Sequence, residues 1–246
     1  MKKSRSTLAV LLVTSLLCGA SHSRAFASPQ RAGPLVAPPE KRIDGKTYAE
    51  WSAAWWQWLL TIPVVPGNPV FCDPFFDITL GQSGSVWFLA APFGTCSRTI
   101  AIPAGTRLFV GLINAEASSL GSAPFFGCTE AGQGAAANAF ANHIQNPSIE
   151  INGARLRQIR RYRFKSPQFD VTLPVPNILG VPAGSISTCP YVPAPLPMQA
   201  KAVSDGYWAM IRPLPLGQHT IHFSGMFKNT PYGDFGLDMT YDVTVF

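Results

Sequence analysis

Five apolar residues near the end of the chain, Leu237, Met239, Tyr241, Val243 and Val245, alternate without interruption with Asp238, Thr240, Asp242 and Thr244. Successive side chains of an extended chain point to opposite faces, so this stretch predicts a strand with one buried and one wet face. Residues 205–223 carry the same message. Residues 207–212 are rich in strand-favouring side chains, Pro213 to Gly217 cannot continue a strand, and residues 218–223 resume the alternation. Residues 86–89 and 108–113 are apolar almost without a break, which fits strands covered on both sides. With 23 prolines, 21 glycines and no long helical repeat, the expected fold is all-β: a β-sandwich, jelly-roll-like, carrying an N-terminal amphipathic Trp-rich helix.

That helix is predicted to begin after Thr47, with Glu50 three residues later as in a capping box. Trp51, Trp55, Trp58, Leu59 and Ile62 recur at helical spacing until Pro63 stops the run. The stripe is expected to close the core; Trp56 lies off it and would have to be exposed beside the others to serve as a stacking platform for sugar rings. Residues 135–144 read as a short surface helix. Gly132-Gln133-Gly134-Ala135-Ala136-Ala137 fits a loose dinucleotide fingerprint but follows no strand, so it carries no weight. Asn152-Gly153 is the sharpest hairpin signal in the chain.

Before these elements, Lys2, Lys3 and Arg5 precede an apolar run over residues 8–17, and Ala25-Phe26-Ala27 offers small residues where a signal peptidase reads. Residues 1–27 are therefore expected to be a signal peptide, and the protein secreted or periplasmic. The apolar run is too short to span a bilayer and no later stretch is longer, so no transmembrane segment is expected after signal removal. Cys18 lacks the small preceding residues of a lipoprotein site. Loss of Lys2, Lys3, Arg5 and Arg24 takes the formal net charge from +6 to +2, which points to no partner by charge alone. Residues 28–43, rich in Pro and Ala, read as a disordered leader, and residues 44–246 as a single domain.

Four cysteines remain in an oxidising compartment: Cys72, Cys96, Cys128 and Cys189. Three pairings are possible. Cys72–Cys96 with Cys128–Cys189 is favoured, because the first pair brackets a plausible hairpin. The spacing matches no zinc pattern, and neither metal nor cofactor is expected.

One charge cluster stands out. Arg155, Arg157, Arg160, Arg161, Arg163 and Lys165 interleave with Leu156, Ile159, Tyr162 and Phe164, so an extended chain would show a basic stripe. Guanidinium groups suit the planar anions of an acidic polysaccharide, whereas a charged edge strand guarded against aggregation would look the same. Nucleic acid is not expected, since the cluster is isolated and the compartment is wrong.

No G-x-S-x-G, H-E-x-x-H or metal-binding cysteine motif occurs. The catalytic candidates are His219, His222 and Glu116. The two histidines fall on opposite faces of one strand; pairing with the last strand would bring His222 near Asp238 or Asp242 and turn His219 inward, towards Glu116. Glu116 follows a buried strand, where a site is easily built, although a solvated loop glutamate is the plainer reading.

The blocks G-K-T-Y-A-E-W-S-A-A-W-W-Q-W-L-L-T-I-P (residues 45–63), I-P-A-G-T-R-L-F (102–109), Y-R-F-K-S-P-Q-F-D-V-T-L-P (162–174) and D-G-Y-W-A-M-I-R-P-L-P-L-G-Q-H-T-I-H-F (205–223) resemble an uncharacterised family of exported bacterial proteins. The resemblance covers most of the chain after residue 27 and implies one folded unit with an N-terminal Trp-rich helix; it lends no activity or catalytic residue. The expectation is a non-catalytic extracytoplasmic binding or surface protein, with acidic polysaccharide or a cell-envelope component as partner and Arg155, Arg157, Arg161, Arg163 and Lys165 as the binding surface. A secreted polysaccharide hydrolase or lyase and a structural envelope protein are the alternatives.

Overall fold

The computed structural model describes residues 35–73, 76–190 and 196–246; the stretch read as a signal peptide and the first part of that read as a leader lie outside them. Ten strands form two five-stranded sheets among the described residues. In the first, β3 (Arg107–Ser118) and β8 (Gln199–Ile211) run antiparallel at the centre, with β1 (Val86–Leu89) parallel to β3 and with β6 (Arg163–Lys165) and β7 (Phe169–Thr172) both on β8. In the second, the order is β2 (Gly94–Ile102), β10 (Gly233–Val245), β9 (Gly217–Thr230), β4 (Ile144–Ile151) and β5 (Ala154–Arg155). Parallel pairs β1–β3 and β2–β10 occur at one side of each sheet. The fold is a mostly-β sandwich.

The predicted alternation is seen in β10, where Leu237, Met239, Tyr241, Val243 and Val245 are all buried. The proline-rich break at residues 212–216 does not make a hairpin. It carries the chain from β8 in one sheet to β9 in the other. Asn152 and Gly153, both at positive φ (52° and 76°), make the tight turn between β4 and β5 as expected.

Helix α1 (Tyr48–Thr61) starts in the predicted capping box. Thr47 Oγ1 accepts from the Glu50 amide (3.2 Å), and the Glu50 carboxylate accepts from the Thr47 amide (2.6 Å). Its aromatic face lies on the first sheet. Trp55 meets Trp208 edge-on with ring centres 5.4 Å apart, and Trp208 stacks on Phe109 at 5.7 Å. Tyr48 is fully buried; its hydroxyl donates to the Ala37 carbonyl (2.7 Å) and accepts from the Met210 amide (3.1 Å), and burial raises its pKa. Part of the stretch read as leader is therefore packed: Val36 and Ala37 are buried, and Ala37 also bonds back to Met210.

Two further expectations need correction. The second helix, α2 (Glu130–Ala141), starts earlier than expected because Thr129 caps it, and only one of its faces is at the surface. Its other face, Gln133, Gly134, Ala137, Phe140 and Ala141, is buried, and the helix packs on β3 and β8. The disulfides Cys72–Cys96 and Cys128–Cys189 form as favoured, but the first encloses no hairpin. Between its cysteines the chain passes through β1 in one sheet before entering β2 in the other.

A bulge at Leu112 sets which way the second half of β3 faces. Gly111 pairs with Trp208 and Ile113 with Tyr207, so Leu112 has no counterpart on β8. Before it, Phe109 and Gly111 share the α1 side of the sheet; after it, Asn114, Glu116 and Ser118 do. Ile113 accordingly turns to the other sheet and fills the space over Gly225.

Gly111 is required for this layering. A Cβ there would stand 2.7 Å from the Trp55 ring. Gly111→Ala is expected to push the indole off β3 and cost about 1–3 kcal/mol, read as a lower urea midpoint with an unchanged slope. A neutral result would show that α1 is not held as tightly as this contact implies.

Candidate functional site: a cavity at the bare edge of β3

β1 covers the outer edge of β3 only from Arg107 to Val110. Between there and Ser118, which bridges to Phe126, no described strand pairs with this edge, and a cavity of about 570 Å³ wraps round it, lined by Gly111, Ile113, Asn114, Ala115 and Glu116. Trp55, Trp56 and Leu59 of α1 form one wall. Phe227 of β9, Phe235 and Leu237 of β10 and Phe140 of α2 form another. The aromatic rings of that second wall brace one another, Phe140 and Phe235 each lying 5.1 Å from Phe227. Phe125 packs edge-on to Phe140 at 4.5 Å, and Ile178 and Leu179 complete the lining from the long proline-rich connection. The size falls within the range of small-ligand sites.

The rim formed by Val70, Phe71 and Ala91 is held by a buried cation. Arg98 of β2 is 6 % exposed and donates to the carbonyls of Pro69 (3.0 Å), Phe71 and Ala90 (3.3 Å) and to the Tyr241 hydroxyl (2.8 Å). Its guanidinium also lies 4.0 Å over the Phe76 ring. The Cys72–Cys96 bridge, two residues from Arg98, ties the same segment to β2.

Within and beside these apolar walls sit polar atoms with nothing to bond. Glu116 is 5 % exposed, and its Oε1 has no hydrogen-bond partner among the described residues; neither do Trp56 Nε1, Ser118 Oγ and Ser204 Oγ, all of them buried. Ser204 stands directly opposite Glu116 on β8. Buried polar groups are nearly always paired, so a cluster of orphans around one carboxyl is unusual. Burial pushes the Glu116 carboxyl up to about 8. The nearby Ser118 hydroxyl alone pulls the other way, without reaching hydrogen-bond geometry. At neutral pH the group is therefore a carboxylic acid, able to donate.

The other candidates lie elsewhere. His222 bonds Asp238 through Nε2 (3.0 Å) on the wet face of the second sheet, as expected from the pairing of β9 with β10. His219 does not approach Glu116. Its ring is held at the end of β9 between Asn152 (3.0 Å) and the Pro215 carbonyl (2.8 Å), because the turn at Asn152-Gly153 and the crossing loop close over it. No histidine or second carboxylate lines the cavity, and no group of three or more potential metal ligands occurs among the described residues.

The basic segment forms no continuous stripe. Gln158 takes a left-handed conformation (φ 56°) and residues Ile159–Tyr162 coil into a 3₁₀ turn, which scatters the arginines. Arg163 pairs with Asp205 (3.0 Å) and bonds Asn142, and the Asp205 carboxylate raises its pKa further. Arg161 meets Glu40 at 3.3 Å on the surface. Arg155, Arg157 and Arg160 are exposed and form no ion pair among the described residues; Lys165 is exposed too, its stem lying by Gly134.

No protein-family model, curated protein or solved structure matches the chain.

The carboxyl of Glu116 ties stability to pH. Folding raises its pKa from an ordinary 4.5 to about 8, so between those values the folded protein holds a proton that the unfolded chain releases. Stability therefore falls as pH rises through that window and levels off above it. Glu116→Gln, a neutral isostere, is expected to lack this component, and its advantage in urea denaturation should grow to a few kcal/mol by about pH 8. Parallel pH profiles for the two proteins would mean that the carboxyl is not protonated in the fold.

Proposed function

We propose that this is a non-catalytic extracytoplasmic binding protein and that its ligand is a small, largely apolar molecule held in the cavity at the edge of β3. The observation that carries this reading is the set of unpartnered buried groups, Glu116 Oε1 and Trp56 Nε1 foremost, carried by residues that line an otherwise aromatic cavity. An orphaned buried polar group costs roughly 1–3 kcal/mol, and a ligand that satisfies it recovers that cost. Trp56 joins the site as part of a cavity wall. The extracytoplasmic part of the reading rests on the two disulfides and on the signal-like first 27 residues.

An apolar fluorescent dye such as N-phenyl-1-naphthylamine is expected to brighten on binding the protein. Ala91→Trp, which narrows the rim, should abolish that signal while leaving the circular dichroism unchanged. Dye binding that survives the rim substitution would place the apolar site elsewhere, and no dye binding by either protein would count against the cavity as a ligand site.

A second reading puts an acidic polysaccharide on Arg155, Arg157 and Arg160, and is favoured by their exposure and freedom from ion pairs among the described residues. Arg161 and Arg163, already engaged by Glu40 and Asp205, contribute less to it. Salt-sensitive retention on an immobilised acidic polysaccharide that is lost when Arg155, Arg157 and Arg160 become Ser is the expected outcome. Equal retention of both proteins would return the segment to being a charged surface.

A further inference from the structure

The polar groups of the cavity also specify what kind of ligand it takes, a specificity that rests on the binding role proposed for that cavity. We propose that the ligand is an uncharged apolar molecule bearing a hydrogen-bond acceptor, a carbonyl in particular, which receives hydrogen bonds from the Glu116 carboxylic acid and the Trp56 indole N–H.

One group on this lining can only donate, and a second is free to. Trp56 Nε1 is a donor and nothing else, and it is buried without an acceptor. Asn114, which lines the same stretch of β3, has an amide that makes no side-chain hydrogen bond among the described residues. Glu116 has no hydrogen-bonded cation or backbone N–H among the described residues to hold it ionised, so it keeps its proton and can donate. The serine hydroxyls at 118 and 204 can serve as donor or acceptor and so complete either arrangement. A donor-only indole and an unpartnered carboxylic acid among aromatic walls are complementary to an oxygen with lone pairs, as in sites that hold a carbonyl between a neutral carboxylic acid and a second donor.

The competing occupant is an apolar amine, which would ionise Glu116 and rest its charge on the ring faces. It would leave the Trp56 N–H without an acceptor, and for that reason the carbonyl is favoured. Charged groups on the elements packed around Glu116 are committed elsewhere. Asp205 on β8 is held by Arg163, Lys201 by Asp170 of β7, Glu50 of α1 by Thr47, and Glu130 of α2 accepts from the Gln168 amide. Tyr232, exposed at the cavity mouth, is the only other titratable group in the lining among the described residues.

Three probes of one shape separate the possibilities: 4-phenylbutan-2-one, 4-phenylbutan-2-amine and butylbenzene, each titrated by displacement of the bound dye. The ketone is expected to bind about tenfold tighter than the hydrocarbon, the yield of one or two buried hydrogen bonds. Its affinity should fall as pH rises past about 8, where the acid loses its proton. Glu116→Gln, whose amide still donates, should keep the preference for the ketone but lose the dependence on pH. An amine that binds tighter than the ketone, gains affinity as pH rises towards 8 and fails on Glu116→Gln would overturn the proposal in favour of a cation site. Equal affinity for ketone and hydrocarbon would overturn it as well, while leaving an apolar binding cavity in place. Absence of dye binding is the separate outcome that removes the cavity reading itself.

Discussion

The placement of the Trp55 indole is the contact on which the rest of the structure depends. One side chain touches four elements: it belongs to α1, donates from Nε1 to the Leu89 carbonyl of β1 (2.9 Å), lies against Gly111 of β3 and meets Trp208 of β8 edge-on. Beneath it, Phe109 and Trp208 are completely buried. Shielding two such rings is worth roughly 2–3 kcal/mol each, and that gain disappears if the helix lifts. The same seating fixes α1 in rotation, so Trp56 and Leu59 come to face the cavity. Stability and the candidate site therefore share one contact, and a helix that packed less closely would leave the cavity without a wall.

The second organising feature works against stability. The bulge at Leu112 takes Glu116 off the face that packs against the second sheet and puts it on the α1 side, next to the place where β1 has stopped. A carboxyl so enclosed, with no partner for Oε1 among the described residues, is a poor choice for holding a fold together. A glutamine or a leucine would serve packing better. Departures of this kind from local consistency concentrate where a protein meets a ligand.

Much of the framework was readable in the residues. The capping box at Thr47 and Glu50, the alternation in β10 and the Asn152-Gly153 turn follow from local chemistry, and local chemistry is what a sequence displays; the disulfide pairing was favoured for a hairpin that the fold does not contain. The site was less visible. Glu116 drew attention by following an apolar run, but its face depends on one extra residue in β3, and a bulge leaves no mark in hydrophobic periodicity. Trp56, off the helical stripe, was rightly separated from its neighbours, yet only the folded sheet shows what it faces. Arg98 carried no signal at all, since its four acceptors come from segments as far apart as Pro69 and Tyr241. The basic segment misled for the opposite reason. Its composition suits an extended strand, but the left-handed turn at Gln158 and the Arg163–Asp205 pair break it into separate surfaces.

The parallel pairing of β2 with β10 bears on how the chain assembles. Residues 94–102 find their only described strand neighbour at residues 237–245, so that edge of the second sheet cannot close until those residues have been made. β9 and β4 can pair earlier, but β10 joins them to β2, and contacts between such distant parts of a sequence form slowly. Until then Arg98 lacks its hydrogen bond to Tyr241, and the cavity lacks the wall that Phe235 and Leu237 supply. The cavity is thus among the last parts of the molecule to be finished, and a chain released early would have the tryptophan helix without the pocket beside it.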